Sequence, residues 1–284
     1  MNRTRAAGCL LVGLLVGAVA LVLGVGAVIT ALSRTDRPVQ PEEQRCVATA
    51  TDSSVVVDLD QAHYAALIAG VAVKRKLPPR AVSIALATAY QESGIRNLDY
   101  GDRDSLGLFQ QRPSQGWGTA RQIMDPYYSA GRFYDALVKI NNWQSDDITE
   151  VAQKVQRSGY PDAYRDHETD ARVLASVLTG QTAAGLTCVE RSDATADVTA
   201  LRTAVTRTLG VSKVSVNGSA VVYHTGSTAQ AWALAHHVLA NSGRYAVGDI
   251  QVVDRTWSHD PTGLPRWISV DQAAPRGQVV ITLR

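Results

Sequence analysis

The sequence predicts an α+β protein in three parts: an N-terminal transmembrane helix, an all-α domain, and a small C-terminal αββαββ domain. Three observations carry this. An uncharged, mostly apolar run extends from Ala6 to Leu32. From Asp60 to about Thr179, apolar residues recur at helical spacing between helix-start and helix-stop signals. Beyond Asp197 the pattern changes to β-branched runs around Asn217-Gly218, a strong hairpin signal. The expected boundaries are 1–33 for the cytoplasmic tip and anchor, 34–45 for a linker, 46–190 for the helical domain and 197–284 for the C-terminal domain.

The apolar run exceeds the roughly 20 residues that a helix needs to cross the hydrocarbon core. Arg3 and Arg5 ahead of it favour a cytoplasmic N-terminus and an extracytoplasmic body, although Arg34 and Arg37 follow it. A cleaved signal peptide has an apolar core of about 7–15 residues. This run is longer and ends in no small-x-small cleavage site, so an uncut single-pass anchor in the cell membrane is expected. Cys9 does not follow the run, which argues against acylation there. Residues 33–45 are rich in Pro, Arg, Glu and Gln without periodicity and read as a linker.

In the helical stretch, Asp60 is the expected cap of a helix that runs to about Lys76, and Pro78-Pro79 starts the next. Val82, Ala85, Leu86, Ala89 and Tyr90 mark the inner face of that second helix, and Gly94 ends it. Asp125-Pro126 opens a helix to about Ile140. Two more are expected near Ile148–Arg157 and Pro161–Leu178, with Gly180 as a stop. A strand signal interrupts this stretch only near Leu106–Gln110. In the C-terminal part, helices at Val198–Leu209 and Thr228–Asn241 alternate with strands near Val211–Val216, Ser219–Tyr223, Ile250–Thr256 and Gln278–Leu283. That order suggests helices on one face of an antiparallel sheet.

Hydrophobic residues make up 45% and charged residues 19% of the chain, a globular balance. A net charge of +2 without a basic stripe gives no nucleic-acid signal. Cys46 and Cys188 have no C-x-x-C spacing, hence no zinc or redox signature. In an oxidising compartment they are natural disulfide partners; the alternative is two buried free thiols. His63, His167, His224 and His259 are dispersed, and the adjacent His236 and His237 point different ways on a helix, so no metal site is expected. No Gly-x-Ser-x-Gly elbow, phosphate loop or dinucleotide fingerprint appears.

The chemistry concentrates in Gln91-Glu92-Ser93-Gly94 and in the segment from Tyr100 to Pro113. Glu92 falls in the last turn of an apolar helix, where the helix dipole disfavours a negative charge. Partial burial pushes its pKa the same way. A carboxylic acid kept protonated near neutral pH is what protonates a departing sugar oxygen in glycoside cleavage.

These two segments resemble the goose-type lysozyme and lytic transglycosylase superfamily. Its members carry a catalytic Glu in a Glu-Ser motif at a helix end, followed by a Gly-Leu-Met/Phe-Gln motif that lines the glycan cleft. Glu92-Ser93 and Leu106-Gly107-Leu108-Phe109-Gln110 match in order, and Tyr100-Gly101-Asp102-Arg103 is similar to the Trp-Gly-Asp-Arg of goose-type lysozymes. The resemblance covers about Asp60–Leu178. It implies a lysozyme-like fold for the helical domain and an enzyme that cuts the glycan strands of peptidoglycan without a cofactor or metal. Glu92 would be the general acid and Asp102 the base that activates water. Ser105, Gly107 and Gln110 would contact substrate, with Phe109 in the core. Trp117, Tyr127 and Tyr128 are expected in the core rather than stacked on sugars.

The chain departs from the superfamily where a Tyr-Asn-x-Gly segment is usual. Its counterpart is Gln156-Arg157-Ser158-Gly159, which lacks the Tyr; Tyr160 and Tyr164 are the nearest replacements, Tyr160 being the expected substrate contact. The alternatives to a muramidase are a lytic transglycosylase and a non-catalytic wall-binding or assembly protein that keeps the fold. The C-terminal domain has no recognisable catalytic motif and is expected to bind the wall or a protein partner.

Overall fold

A β-hairpin opens the described part of the chain, where the sequence predicted a linker and then helices. The computed structural model describes residues 42–157 and 164–284. The expected anchor at Ala6–Leu32 lies outside the described residues, as does Tyr160. Among the described residues no helix is long and apolar enough to cross a membrane.

Strands β1 (Arg45–Ala50) and β2 (Ser53–Val57) pair through the two-residue turn Thr51-Asp52, with Ala50 opposite Ser53. Strand β3 (Leu186–Val189) then pairs antiparallel with the other edge of β1, giving the order β2-β1-β3. The all-α, lysozyme-like domain expected over 46–190 is therefore not what forms: the chain is mixed α/β with two antiparallel sheets. The strands escape a periodicity reading for physical reasons. The inward residues of β1 are Cys46, Ala48 and Ala50, too small to mark an apolar stripe. The four residues of β3 find their partner only across a long sequence separation. Cys46 and Cys188 face each other in the β1–β3 register and form a disulfide.

Between these strands lie the helices α1 (Leu59–Lys74), α2 (Pro79–Ser93), α3 (Ala120–Ile123), α4 (Pro126–Leu137), α5 (Ile148–Gln156) and α6 (Glu168–Leu178). The first cap is Asp58, not Asp60. Its carboxylate accepts the Gln61 N–H while the Gln61 side chain accepts the Asp58 N–H, a capping box. Pro79 starts α2 as expected, and Asp125 caps α4 through the Tyr127 N–H. Helix α2 is the central element. Ala81, Val82, Ile84, Ala85, Leu86, Ala87 and Ala89 are all fully buried, and the helix packs against α1, α4, α5 and α6.

Beyond β3 come α7 (Val198–Leu209), β4 (Val214–Asn217), β5 (Ala220–His224), α8 (Thr228–Leu239), α9 (Ser242–Tyr245), β6 (Val247–Val252), β7 (Arg255–Ser258), β8 (Ile268–Ser269) and β9 (Gln278–Leu283). The second sheet has the order β4-β5-β9-β6-β7-β8, antiparallel throughout. Where αββαββ predicts one strand at Ile250–Thr256, the chain folds back on itself. Val253 takes a left-handed conformation (φ 52°), and β6 and β7 pair as a hairpin. The β4–β5 loop is Gly218-Ser219, since Asn217 pairs with Ala220; the turn falls one residue later than Asn217-Gly218.

Helix α8 lies against this sheet on one side and against α1 and α6 on the other. His236 on α8 is fully buried. Its Nδ1 donates to the Val177 carbonyl at 2.7 Å, and its Nε2 accepts the Gly185 N–H at 3.2 Å. Residues 42–284 thus form one compact unit with a continuous core.

Candidate active site

The geometry of Glu92 follows from how α2 ends. Gly94 takes the left-handed conformation (φ 63°). Its N–H reaches the Tyr90 carbonyl and the Ile95 N–H reaches Ala89, closing the helix in a Schellman pattern. Glu92 is left in the last turn, where the helix dipole opposes its charge. Its neighbour Ser93 ties the helix end to the Leu108 loop: Ser93 Oγ donates to the Leu108 carbonyl at 2.8 Å and accepts the Arg96 N–H at 3.1 Å. The two matched motifs are thus joined by a hydrogen bond, as their sequence order alone did not show.

The Leu106–Gln111 segment is a tight turn closed by reciprocal 2.9 Å hydrogen bonds between the Leu106 and Gln111 backbones. Gly107 sits in it at φ 76°, and a Cβ there would stand 3.0 Å from the Ile123 carbonyl and 3.3 Å from Asn97 Oδ1. The close approach that Gly107 permits is to the protein's own backbone. Phe109 is fully buried and stacks on Phe133 at 4.5 Å, as core. Ser105 is also buried; neither it nor Gly107 lines the groove beside the site. Gln110 does line it, with its amide donating to the Tyr100 and Gly107 carbonyls.

The Glu92 carboxyl is held from the far side. The hydroxyl of Tyr164, a residue 1% exposed, donates to Glu92 Oε1 at 2.8 Å. The Gln156 side chain also hydrogen-bonds Glu92, and its Nε2 donates to the Phe109 carbonyl at 2.7 Å. Burial raises the carboxyl pKa, and the bonds from Tyr164 and Gln156 oppose that rise without cancelling it. Tyr164 stands just before the 3-10 turn that leads into α6, and Gln156 ends α5. The sequence offers Tyr164 only as an alternative to Tyr160 and assigns Gln156 no role. Its place in the counterpart of the Tyr-Asn-x-Gly segment was the signal.

Asp102 and Asp104 separate into two roles. Asp104 braces the loop, accepting from Arg112 Nε at 2.7 Å, the Ser114 N–H at 2.8 Å and Ser114 Oγ at 3.0 Å. The Arg112 guanidinium and these donors hold its pKa well below the usual carboxylate range. Asp102 is free in the loop, its side chain 90% exposed with Arg103 at 3.7 Å. It lines the groove together with Gln110, Trp117 and Gln156.

This groove has a volume of about 640 Å³, within the range of small-molecule sites. Glu92 does not itself line it but is bonded to Gln156, which does. Trp117 is partly buried against the core and also forms part of the groove wall. Tyr128 donates to the Trp117 carbonyl at 3.2 Å, and Tyr127 packs under Arg207 with its hydroxyl on Thr208. Among the described residues no cluster of His, Cys, Asp and Glu fits a metal ion. No protein-family model matches the chain, and a search of curated proteins finds no match.

Proposed function

We propose that the chain is a glycosidase that cuts the glycan strands of peptidoglycan, with Glu92 as its general acid. The observation that carries this is the Glu92 carboxyl itself: mostly buried at a helix C-terminus, its pKa raised, and bonded by Tyr164 on Oε1. A carboxyl in that setting holds a proton near neutral pH and can deliver it to a leaving sugar oxygen. The glycan as substrate is supported by the resemblance of Glu92-Ser93 and Leu106–Gln110 to the goose-type lysozyme and transglycosylase motifs. In this reading Asp102 activates water across the groove, and the reaction inverts the anomeric centre, for which acid and base stand roughly 6.5–9.5 Å apart. The expected setting is the extracytoplasmic face of the cell membrane, where peptidoglycan lies.

A second reading is favoured by one observation. The Asp102 side chain is 90% exposed and its only ionic neighbour among the described residues is Arg103, so little there fixes it against a bound water. A lytic transglycosylase needs the acid alone, because the sugar's own hydroxyl closes a 1,6-anhydro ring. Incubating the full-length protein with purified sacculi tests both readings. Released muropeptides that disappear with Glu92→Gln support the enzyme, and undiminished release by a folded Glu92→Gln variant refutes it. Mass spectrometry of the ends then separates the two: reducing ends that depend on Asp102 mean hydrolysis, and anhydro ends that survive Asp102→Asn mean transglycosylation.

A further inference from the structure

The groove beside Glu92 is lined by five cationic side chains, Arg112, Arg132, Lys139, Lys154 and Arg157, against two carboxylates. That surplus of three positive charges sits in one concavity of a chain whose whole net charge is only +2. Concave walls concentrate such a potential. Three of the cations are engaged: Arg112 with Asp104, Lys154 with Asp146 at 2.9 Å, and Arg132 with Asp135 at 4.0 Å. Lys139 and Arg157 are exposed, and neither has a side-chain hydrogen bond or ion pair among the described residues. Their positions are set by the fold. Lys139 lies just past the end of α4, and Arg157 closes α5 in a left-handed conformation (φ 54°), directly after the Gln156 that bonds Glu92. A neutral sugar strand calls for amides and aromatic faces, which Gln110, Gln156 and Trp117 offer. It gives no reason for unpaired cations in the same groove.

We infer that this groove takes an anionic glycan strand, whose carboxylate or phosphate substituents meet Lys139 and Arg157 while the sugar backbone runs toward Glu92. This rests on the reading of Glu92 as a glycosidase acid, but binding tests it apart from turnover. Sedimentation of the full-length Glu92→Gln protein with insoluble polymers is the measurement. The polymers are intact sacculi, sacculi stripped of phosphate polymers, sacculi stripped of stem peptides, and chitin as the neutral strand. Lys139→Ala/Arg157→Ala added to the same background should weaken binding to intact sacculi by roughly tenfold, because two exposed cations are removed without breaking an internal contact. Binding should also weaken as salt rises from ~50 to ~300 mM, and the double substitution should leave chitin binding as it was. A loss on phosphate removal, or on peptide removal, identifies the substituent, and either supports the inference. Unchanged sacculus binding by the double variant, equal affinity for chitin and sacculi, or insensitivity to both strippings overturns it. Muropeptide release by the native protein, followed in parallel, reads the enzyme alone. No release with charge-dependent binding removes the glycosidase and keeps the anionic ligand; release with charge-blind binding does the reverse.

Discussion

Reducing the Cys46–Cys188 disulfide should cost this protein about half of an ordinary domain's stability. The two cysteines are 142 residues apart in sequence and stand opposite each other in β1 and β3. In the chain-entropy model a loop of that length contributes about 5 kcal/mol by restricting the unfolded chain, against a typical total of about 5–15 kcal/mol. For a folded unit of this size that is a fall in melting temperature of roughly 10–20 °C. The structure also says where the loss is felt. Strand β1 is the middle strand of its sheet and packs on α6, which in turn packs on α2, the helix that ends at Glu92. Urea unfolding of the oxidised protein and of protein reduced in denaturant and refolded under reductant isolates the entropic part. Cys46→Ala/Cys188→Ala adds roughly 1 kcal/mol for each buried sulfur removed, since both residues are essentially inaccessible. A loss below about 2 kcal/mol on reduction would refute the reasoning, because it would mean that the unfolded chain already keeps the two strands near each other.

Glu92→Gln should abolish glycan cleavage, by at least about a hundredfold, while stabilising the fold at neutral pH. The sign follows from the raised carboxyl pKa: the cost of ionising Glu92 is absent below its ordinary value, 4.5, and accumulates as pH rises above it. Thermal melts of the two proteins should converge in acid and separate toward neutrality; parallel curves would contradict this. Tyr164→Phe removes a donor that favours the charged carboxylate, so the alkaline limb of the pH–activity profile should move upward, with about 1 kcal/mol lost in stability; an unmoved profile would limit Tyr164 to packing. Burial depresses the pKa of both His236 and His237 to about 4 from 6.5. Each therefore contributes stability that is full above pH 6.5 and lost as pH falls through 4, roughly 3 kcal/mol apiece, and urea midpoints across that window should show a steep acid decline that His236→Gln reduces. Gly107→Ala forces a left-handed alanine against the Ile123 carbonyl and should cost about 1–2 kcal/mol for the backbone alone, with a loss of activity through the displaced Gln110 turn; an unchanged melting temperature would show that the turn relaxes freely.

Much of the local structure was legible in the order of residues, because the forces behind it act over a few positions. Pro79 and Gly94 bound α2, Asp125-Pro126 opens α4, and Val198–Leu209 and Gln278–Leu283 are a helix and a strand as the pattern predicts. Glu92 at a helix end, with its charge opposed by dipole and burial, followed from the same local reasoning. What the sequence concealed was made by contacts between distant segments. The sequence offers Cys46 and Cys188 as disulfide partners, but not the sheet β2-β1-β3 that brings them together, because the inward residues of β1 are too small to announce a strand. The Glu92 carboxyl acquires its partners from Gln156 and Tyr164, 64 and 72 positions away, because α5 and the turn before α6 pack beside the end of α2. Asp102 and Asp104 are chemically alike and two residues apart, yet one braces a loop through Arg112 and Ser114 while the other stands in solvent. Periodicity reports which face of an element is apolar; only the packed chain decides which element that face meets, and therefore which carboxylate is buried, bonded and able to hold a proton.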